Sequence, residues 1–228
     1  MKYKKLKSYG FAAALILCIT LSNSIAAGQT INSDEALKLL KEGNTRFVKM
    51  KLRHPDETVA RRESTAVNGQ APFAAVLACS DSRVPVEVIF DRGIGDIFVV
   101  RVAGNIAIDS SVIGSIEYAA EHLKTSLLVI MGHADCGAVK AAIGGVPLEG
   151  RIHDIQKAIA PAAVKIKKEH PELSGPDLAN TVIKSNVLKS KADILSGSDI
   201  IKEMAAAGKL KIATAVYDIK TGKVDWAE

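Results

Sequence analysis

Four short apolar runs spaced along the chain constrain the fold more than any other feature: "FAAVLAC" (73–79), "IFVVRV" (97–102), "SLLVIMGH" (126–133) and "KLKIATAVY" (209–217). Each is the length of a buried strand, and no strand-like partner follows within hairpin distance of the first three. Between them lie segments patterned as helices. "NSDEALKLLKEGNTRF" starts at a cap on Asn32 or Ser33 and is expected to stop near Gly43. "DSSVIGSIEYAAEHL" has a serine or aspartate cap, and "CGAVKAAI", "HDIQKAIAPAAVKIKKEH", "DLANTVIKSNVLKSKADIL" and "SDIIKEMAAAG" follow. After the last run a turn at Thr221-Gly222 leads into a short return strand. Strands alternating with helices specify an α/β fold: a mostly parallel central sheet of about four strands plus an antiparallel edge strand, with helices on both faces.

A hydrophobic content of 48% suits one such domain, and no repeat or linker divides the chain. The first 27 residues have a lysine-rich start, an apolar stretch from Phe11 to Leu21 and a small-residue exit at Ser24-Ile25-Ala26. This pattern predicts a signal peptide over residues 1–27, a domain over 28–228, and a periplasmic or secreted location. The apolar stretch is too short for a membrane span, and the bulky Leu17 before Cys18 argues against lipid attachment. Removing Lys2, Lys4, Lys5 and Lys7 lowers the formal charge from +5 by four, to +1. A near-neutral chain offers no basic stripe for nucleic acid.

Parallel sheets collect ligands at the carboxyl ends of their strands, where "CSDSR" (79–83) and "HADC" (133–136) fall. Cys79, His133 and Cys136 offer two thiolates and an imidazole, a donor set that suits zinc and leaves a fourth position for water. Asp81 can take that position or stand beside it. The other reading is a Cys79–Cys136 disulfide, since an exported chain with two remaining cysteines could form one. A disulfide has no need of the histidine, aspartate and arginine around it. His54, His122, His153 and His170 lack partners of ligand type.

The chain resembles the β-class carbonic anhydrases, whose two hallmark motifs are CxDxR and HxxC. The similarity extends through "GQAPFAAVLACSDSRVPVEVIF", "GDIFVVRVAGN", "GSIEYAAEHL" and "MGHADCGAVKAA" to "YDIKTGKV". The resemblance implies one Zn2+ per subunit on Cys79, His133 and Cys136, with Asp81 and Arg83 paired beside it. In the plant-like branch Gln70, Phe98 and Tyr118 would line the carbon dioxide pocket. Gly137 reads either as a backbone N–H donor to substrate or as a packing glycine, and Gly104 and Asn105 read as a turn without chemistry. The branch with a regulatory bicarbonate pocket built on tryptophan has no counterpart, since the single tryptophan is Trp226.

The implied reaction is hydration of carbon dioxide to bicarbonate by zinc-bound hydroxide. Asp81 would accept a hydrogen bond from the zinc-bound oxygen and relay its proton, while Arg83 would keep that carboxylate ionised and away from the metal. Alternation in an extended chain would put all three side chains of the motif on one side. The resemblance also implies a homodimer or higher even oligomer, with an N-terminal helical arm embracing the partner. Two alternatives are a same-fold hydrolase of carbon disulfide or carbonyl sulfide, and a non-catalytic zinc-binding protein.

Overall fold

The apolar runs become strands β1 (Ala74–Ala78), β2 (Ile97–Arg101), β3 (Leu127–His133) and β4 (Lys211–Tyr217), joined by β5 (Val224–Ala227), in a computed structural model that describes residues 31–227. Their order is β2-β1-β3-β4-β5. The first four run parallel and β5 pairs antiparallel to β4. The predicted signal peptide lies outside the described residues. Among those residues no helix is long and apolar enough to cross a membrane.

The period of two sorts the central strands onto two cores. Ala74, Val76 and Ala78 of β1, with Leu127, Val129 and Met131 of β3, pack against α1 (Ser33–Val48) and α3 (Val86–Ile89). Ala75 and Leu77, with Leu128 and Ile130, face α4 (Ser110–Glu117), α7 (Gly175–Gly197) and α8 (Asp199–Ala206). A third cluster gathers α5 (Gly137–Gly144), α6 (Ile152–Glu169) and α7 around Cys79 and Cys136. The strand ends that carry the motifs thus sit on packed ground. Truncating a buried residue such as Ile130 to alanine costs about 2–5 kcal/mol.

Asn32 caps α1, its Oδ1 accepting from the N–H groups of Asp34 and Glu35 at 3.1 and 2.9 Å. The helix does not stop at Gly43 as expected but runs to Val48. Gly43 is there for proximity: a Cβ would lie 1.8 Å from the carbonyl oxygen of Phe90. Through Ala36 and Leu40, both fully buried, α1 docks on its own sheet. A further helix, α2 (Val59–Asn68), was not expected; it buries no residue. The α4 helix continues into a π-helical turn at Tyr118–His122.

Candidate metal centre

Cys79 is the first residue past β1, His133 is the last residue of β3, and Cys136 caps the N-terminus of α5. Pairing of β1 with β3 brings the two motifs to one end of the sheet. One Sγ from each cysteine and one ring nitrogen of His133 lie within 4.8 Å of one another. A tetrahedral zinc at about 2.0–2.3 Å from each donor needs them about 3.3–3.8 Å apart, a spacing this group accommodates. Both cysteines are free and buried.

The backbone carbonyl of Ala134 lies 2.9 Å from His133 Nδ1, which fixes the proton on Nδ1 and leaves the lone pair on Nε2. That Nε2 atom is buried with no hydrogen-bond partner. A buried polar atom without a partner is costly unless it serves a ligand. The two thiols share protons unequally. Cys79 is pushed down, chiefly by hydrogen bonding from Cys136 and, against the upward push of burial, by His133 and the N–H groups of Gly104 and Asp81. Cys136 is pushed up by Cys79 and by burial. A cation would relieve both costs by taking two thiolates.

The arrangement of Asp81 and Arg83 differs from the extended alternation expected for the motif. The chain turns at Asp81, whose carbonyl accepts from Val84 N–H at 3.0 Å. Asp81 Oδ1 accepts from the N–H of Arg83 at 2.9 Å, an aspartate turn that folds the arginine back over the carboxylate. The guanidinium then donates through Nε to Oδ1 at 2.9 Å and through Nη2 to Oδ2 at 2.8 Å. This fork holds the Asp81 carboxyl well below the usual carboxylate range. Asp81 Oδ2 stands 3.8 Å from His133 Nε2, at the mouth of the donor cluster.

Three residues around this pair carried no signal in the sequence. Arg101, at the end of β2, donates to the carbonyl of Cys79 at 3.0 Å and to that of Asp81 at 2.6 Å. Asp135, at positive φ inside the second motif, accepts from Arg83 Nη1 at 3.2 Å and is paired with Lys140. Gly104 donates its N–H to Cys79 Sγ at 3.2 Å, so the turn assigned no chemistry touches a candidate ligand.

The expected pocket residues do not join this cluster within one subunit. Phe98 pairs with Ala75, four positions before Cys79 along β1, a span of about 13 Å. Tyr118 lies beside Phe98, with ring centroids 6.1 Å apart, and is 46% exposed. Gln70 is exposed ahead of β1, at the same far end. Gly137 does adjoin the cluster, and a Cβ there would meet nothing within 4 Å, which removes a packing reason for glycine. Trp226 packs on Phe90, with centroids 6.0 Å apart. His54, His122, His153 and His170 are exposed.

Residues 74–224 match the carbonic anhydrase family. The chain is 39% identical over 196 residues to carbonic anhydrase 2 of Mycobacterium tuberculosis, covering 84% of this chain and 91% of that one. It is 39% identical over 199 residues to a carbonic anhydrase of Mycolicibacterium smegmatis, covering 85% and 93%. The solved β-carbonic anhydrase CcaA superposes with a TM-score of 0.71 at 26% identity, covering 84% of this chain and 95% of that chain.

The chain belongs to the β-class carbonic anhydrases. A second solved β-carbonic anhydrase, from Coccomyxa and in complex with acetazolamide, superposes with a TM-score of 0.67 at 28% identity, covering 73% of this chain and 78% of that chain. The β-class fold and the Cys79, His133 and Cys136 donor cluster are therefore found together in this chain.

Proposed function

We propose that the protein catalyses the reversible hydration of carbon dioxide to bicarbonate and a proton, with one zinc ion per subunit held by Cys79, His133 and Cys136. The observation that carries this reading is the buried, unpartnered Nε2 of His133, grouped with two free thiols and faced by a clamped carboxylate at 3.8 Å. A structural zinc site closes its fourth position with a protein ligand. Here the nearest candidate, Asp81, is engaged by Arg83 at 2.8 and 2.9 Å.

Zinc bound there supplies a Lewis acid that brings the ionisation of water into the neutral range. The chain's own groups do the rest. Asp81, kept ionised by Arg83, accepts a hydrogen bond from the attacking water, orients its lone pair toward carbon dioxide and relays its proton onward to solvent. Arg83 engages both oxygens of that carboxylate, which would keep it off a bound metal, and Asp135 holds Arg83 from the other side. Gly137, at the first position of α5, has an N–H outside the helical ladder that is free to bind a substrate oxygen.

The apolar wall of the pocket, Gln70, Phe98 and Tyr118, comes from a partner subunit in this reading. Two features support it: the span along β1 that separates these residues from their own chain's cluster, and the character of β2. That strand is an edge of the sheet, and its apolar residues Ile97, Phe98, Val99 and Val100 remain half-exposed. An apolar edge of this kind is a template for association. The working form is a homodimer or a higher even oligomer, in the periplasm or outside the cell after removal of residues 1–27.

Stopped-flow hydration of carbon dioxide, with metal content measured on the same mature sample, tests the reading. The expected result is activity in proportion to zinc. Turnover of carbon disulfide or carbonyl sulfide without carbon dioxide hydration would move the site to those substrates. Zinc without turnover of any of them would make it a binding site only.

A further inference from the structure

The metal-proximal hydrogen bond from Gly104 depends on a helix far away in sequence. The turn that presents it is conformationally demanding: Gly104 has φ +71° and Asn105 has φ +47°, two successive residues in the left-handed region. A Cβ on Gly104 would lie 2.6 Å from Ile159 Cδ1, so the turn is also pressed from α6. The carbonyls of Gly104 and Asn105 are buried with the turn and would be costly without partners. Two side chains of α7 take them. Asn186 Nδ2 donates to the carbonyl of Gly104 at 2.8 Å, and Ser190 Oγ donates to that of Asn105 at 2.9 Å. Both side chains belong to residues only 1% exposed, on a helix face otherwise filled by Ile183, Val187 and Ile194.

Buried polar side chains on an apolar helix face cost stability unless fully bonded. Leucine and alanine would pack there at less cost, were the turn not in need of them. Gly104 is the common element: the peptide before it presents an N–H to Cys79 Sγ and the peptide after it presents a carbonyl to α7.

We propose that Asn186 and Ser190 are positioning residues for the metal centre, which fix the Gly104 turn so that its N–H is aimed at the sulfur of Cys79. The inference rests on the reading of Cys79 as a metal ligand. An N–H donated to a thiolate withdraws charge from the sulfur and restricts its orientation. Loss of either α7 side chain lets the turn relax, frees the sulfur to donate more charge, and loosens the ligand.

Cobalt(II) substitution reads this directly, because the sulfur-to-cobalt charge-transfer band moves to lower energy as the thiolate becomes a better donor. Mature wild-type protein, N186L, S190A and I194A are stripped of metal under reductant and loaded with Co2+. The band position and the rate of cobalt transfer to a chelator are then measured. N186L and S190A are expected to show a red-shifted band and cobalt release about tenfold faster or more. I194A removes apolar packing from the same helix and is expected to keep the wild-type band. Should N186L not fold, S190A carries the test. Wild-type bands in both N186L and S190A overturn the inference, as does an equal shift in I194A. A wild-type protein that takes up cobalt without any charge-transfer band overturns the ligand reading of Cys79, and the inference with it.

Discussion

At the carboxyl ends of β1 and β3, Cys79, His133 and Cys136 are 4%, 1% and 2% exposed, and the Gly104 N–H, the Ala134 carbonyl, Arg83 and Arg101 hold the groups around them. At the opposite end of β1 and along β2, Phe98 is half-exposed, Tyr118 is 46% exposed and Gln70 is open to solvent. One sheet carries both regions, but only the first is finished by the chain itself. Parallel strands explain why. Their carboxyl ends converge on helix N-termini and close loops, so a donor cluster forms locally. The edge strand ends in unpaired backbone groups and apolar side chains, which a single chain leaves uncovered. On the proposed function, metal binding belongs to the subunit and substrate enclosure to the assembly.

The strongest way to break this comparison is His133→Ala, which removes the central donor: zinc content and hydration rate should both fall to background while the circular dichroism spectrum keeps its shape. If zinc stayed bound, the cradle would not be where it is placed. Asp81→Ala separates the functions inside the first region. Zinc should remain at one per subunit, and the hydration rate should fall by about 10²–10⁴, the usual range for loss of a positioned proton acceptor. Full activity in that variant would refute the role given to Asp81.

The second region is probed by dilution. Activity per subunit should drop in step with the dimer fraction measured by sedimentation, with zinc retained throughout. A monomer as active as the oligomer would show that each chain closes its own pocket. Tyr118→Ala should be milder, lowering kcat/KM by about tenfold through lost apolar enclosure, without loss of zinc.

The smallest effect on activity belongs to a site remote from both regions. Asp91 is 3% exposed; burial raises its carboxyl, but Arg46 and the N–H groups of Arg53 and His54 outweigh that and leave it lowered. A lowered folded-state value contributes stability above the ordinary carboxylate value of about 3.9, and that contribution is lost as pH falls through the folded-state value. Asp91→Asn should therefore leave turnover unchanged and cost about 1–3 kcal/mol at neutral pH, a difference that shrinks below about pH 4 in denaturant titrations. A constant difference across pH would mean that the charge of Asp91 is immaterial.

Particular residues explain what could be read in advance. The strands were legible because β1 and β3 are buried on both faces, which leaves no choice but continuous apolar runs. The donor cluster was legible because zinc chemistry demands rare residue types. By contrast, α2 buries no residue and is only ten residues long, so the few apolar positions of "VARRESTAVN" make too brief a pattern to mark a helix. Gly43 looked like a stop because close approach to Phe90 leaves no mark in local sequence. The fold of Arg83 back onto Asp81 depends on a turn that extended alternation conceals. Asn186 and Ser190 stand out nowhere in the sequence, since pattern alone does not tell a buried hydrogen-bond donor from an exposed one.

Asn44 joins α1 to the turn between β4 and β5. Its Oδ1 accepts from the N–H of Val224 at 2.9 Å, and its Nδ2 donates to the carbonyls of Gly222 at 2.8 Å and Ile89 at 3.3 Å. The partners of this one side chain are separated from it by as many as 180 positions. During synthesis α1 is made long before β5, so two of the three partners of Asn44 are missing until residues 222–224 have been added. The first described helix is therefore fully seated only once a strand 180 positions further on has paired, a late and long-range closure.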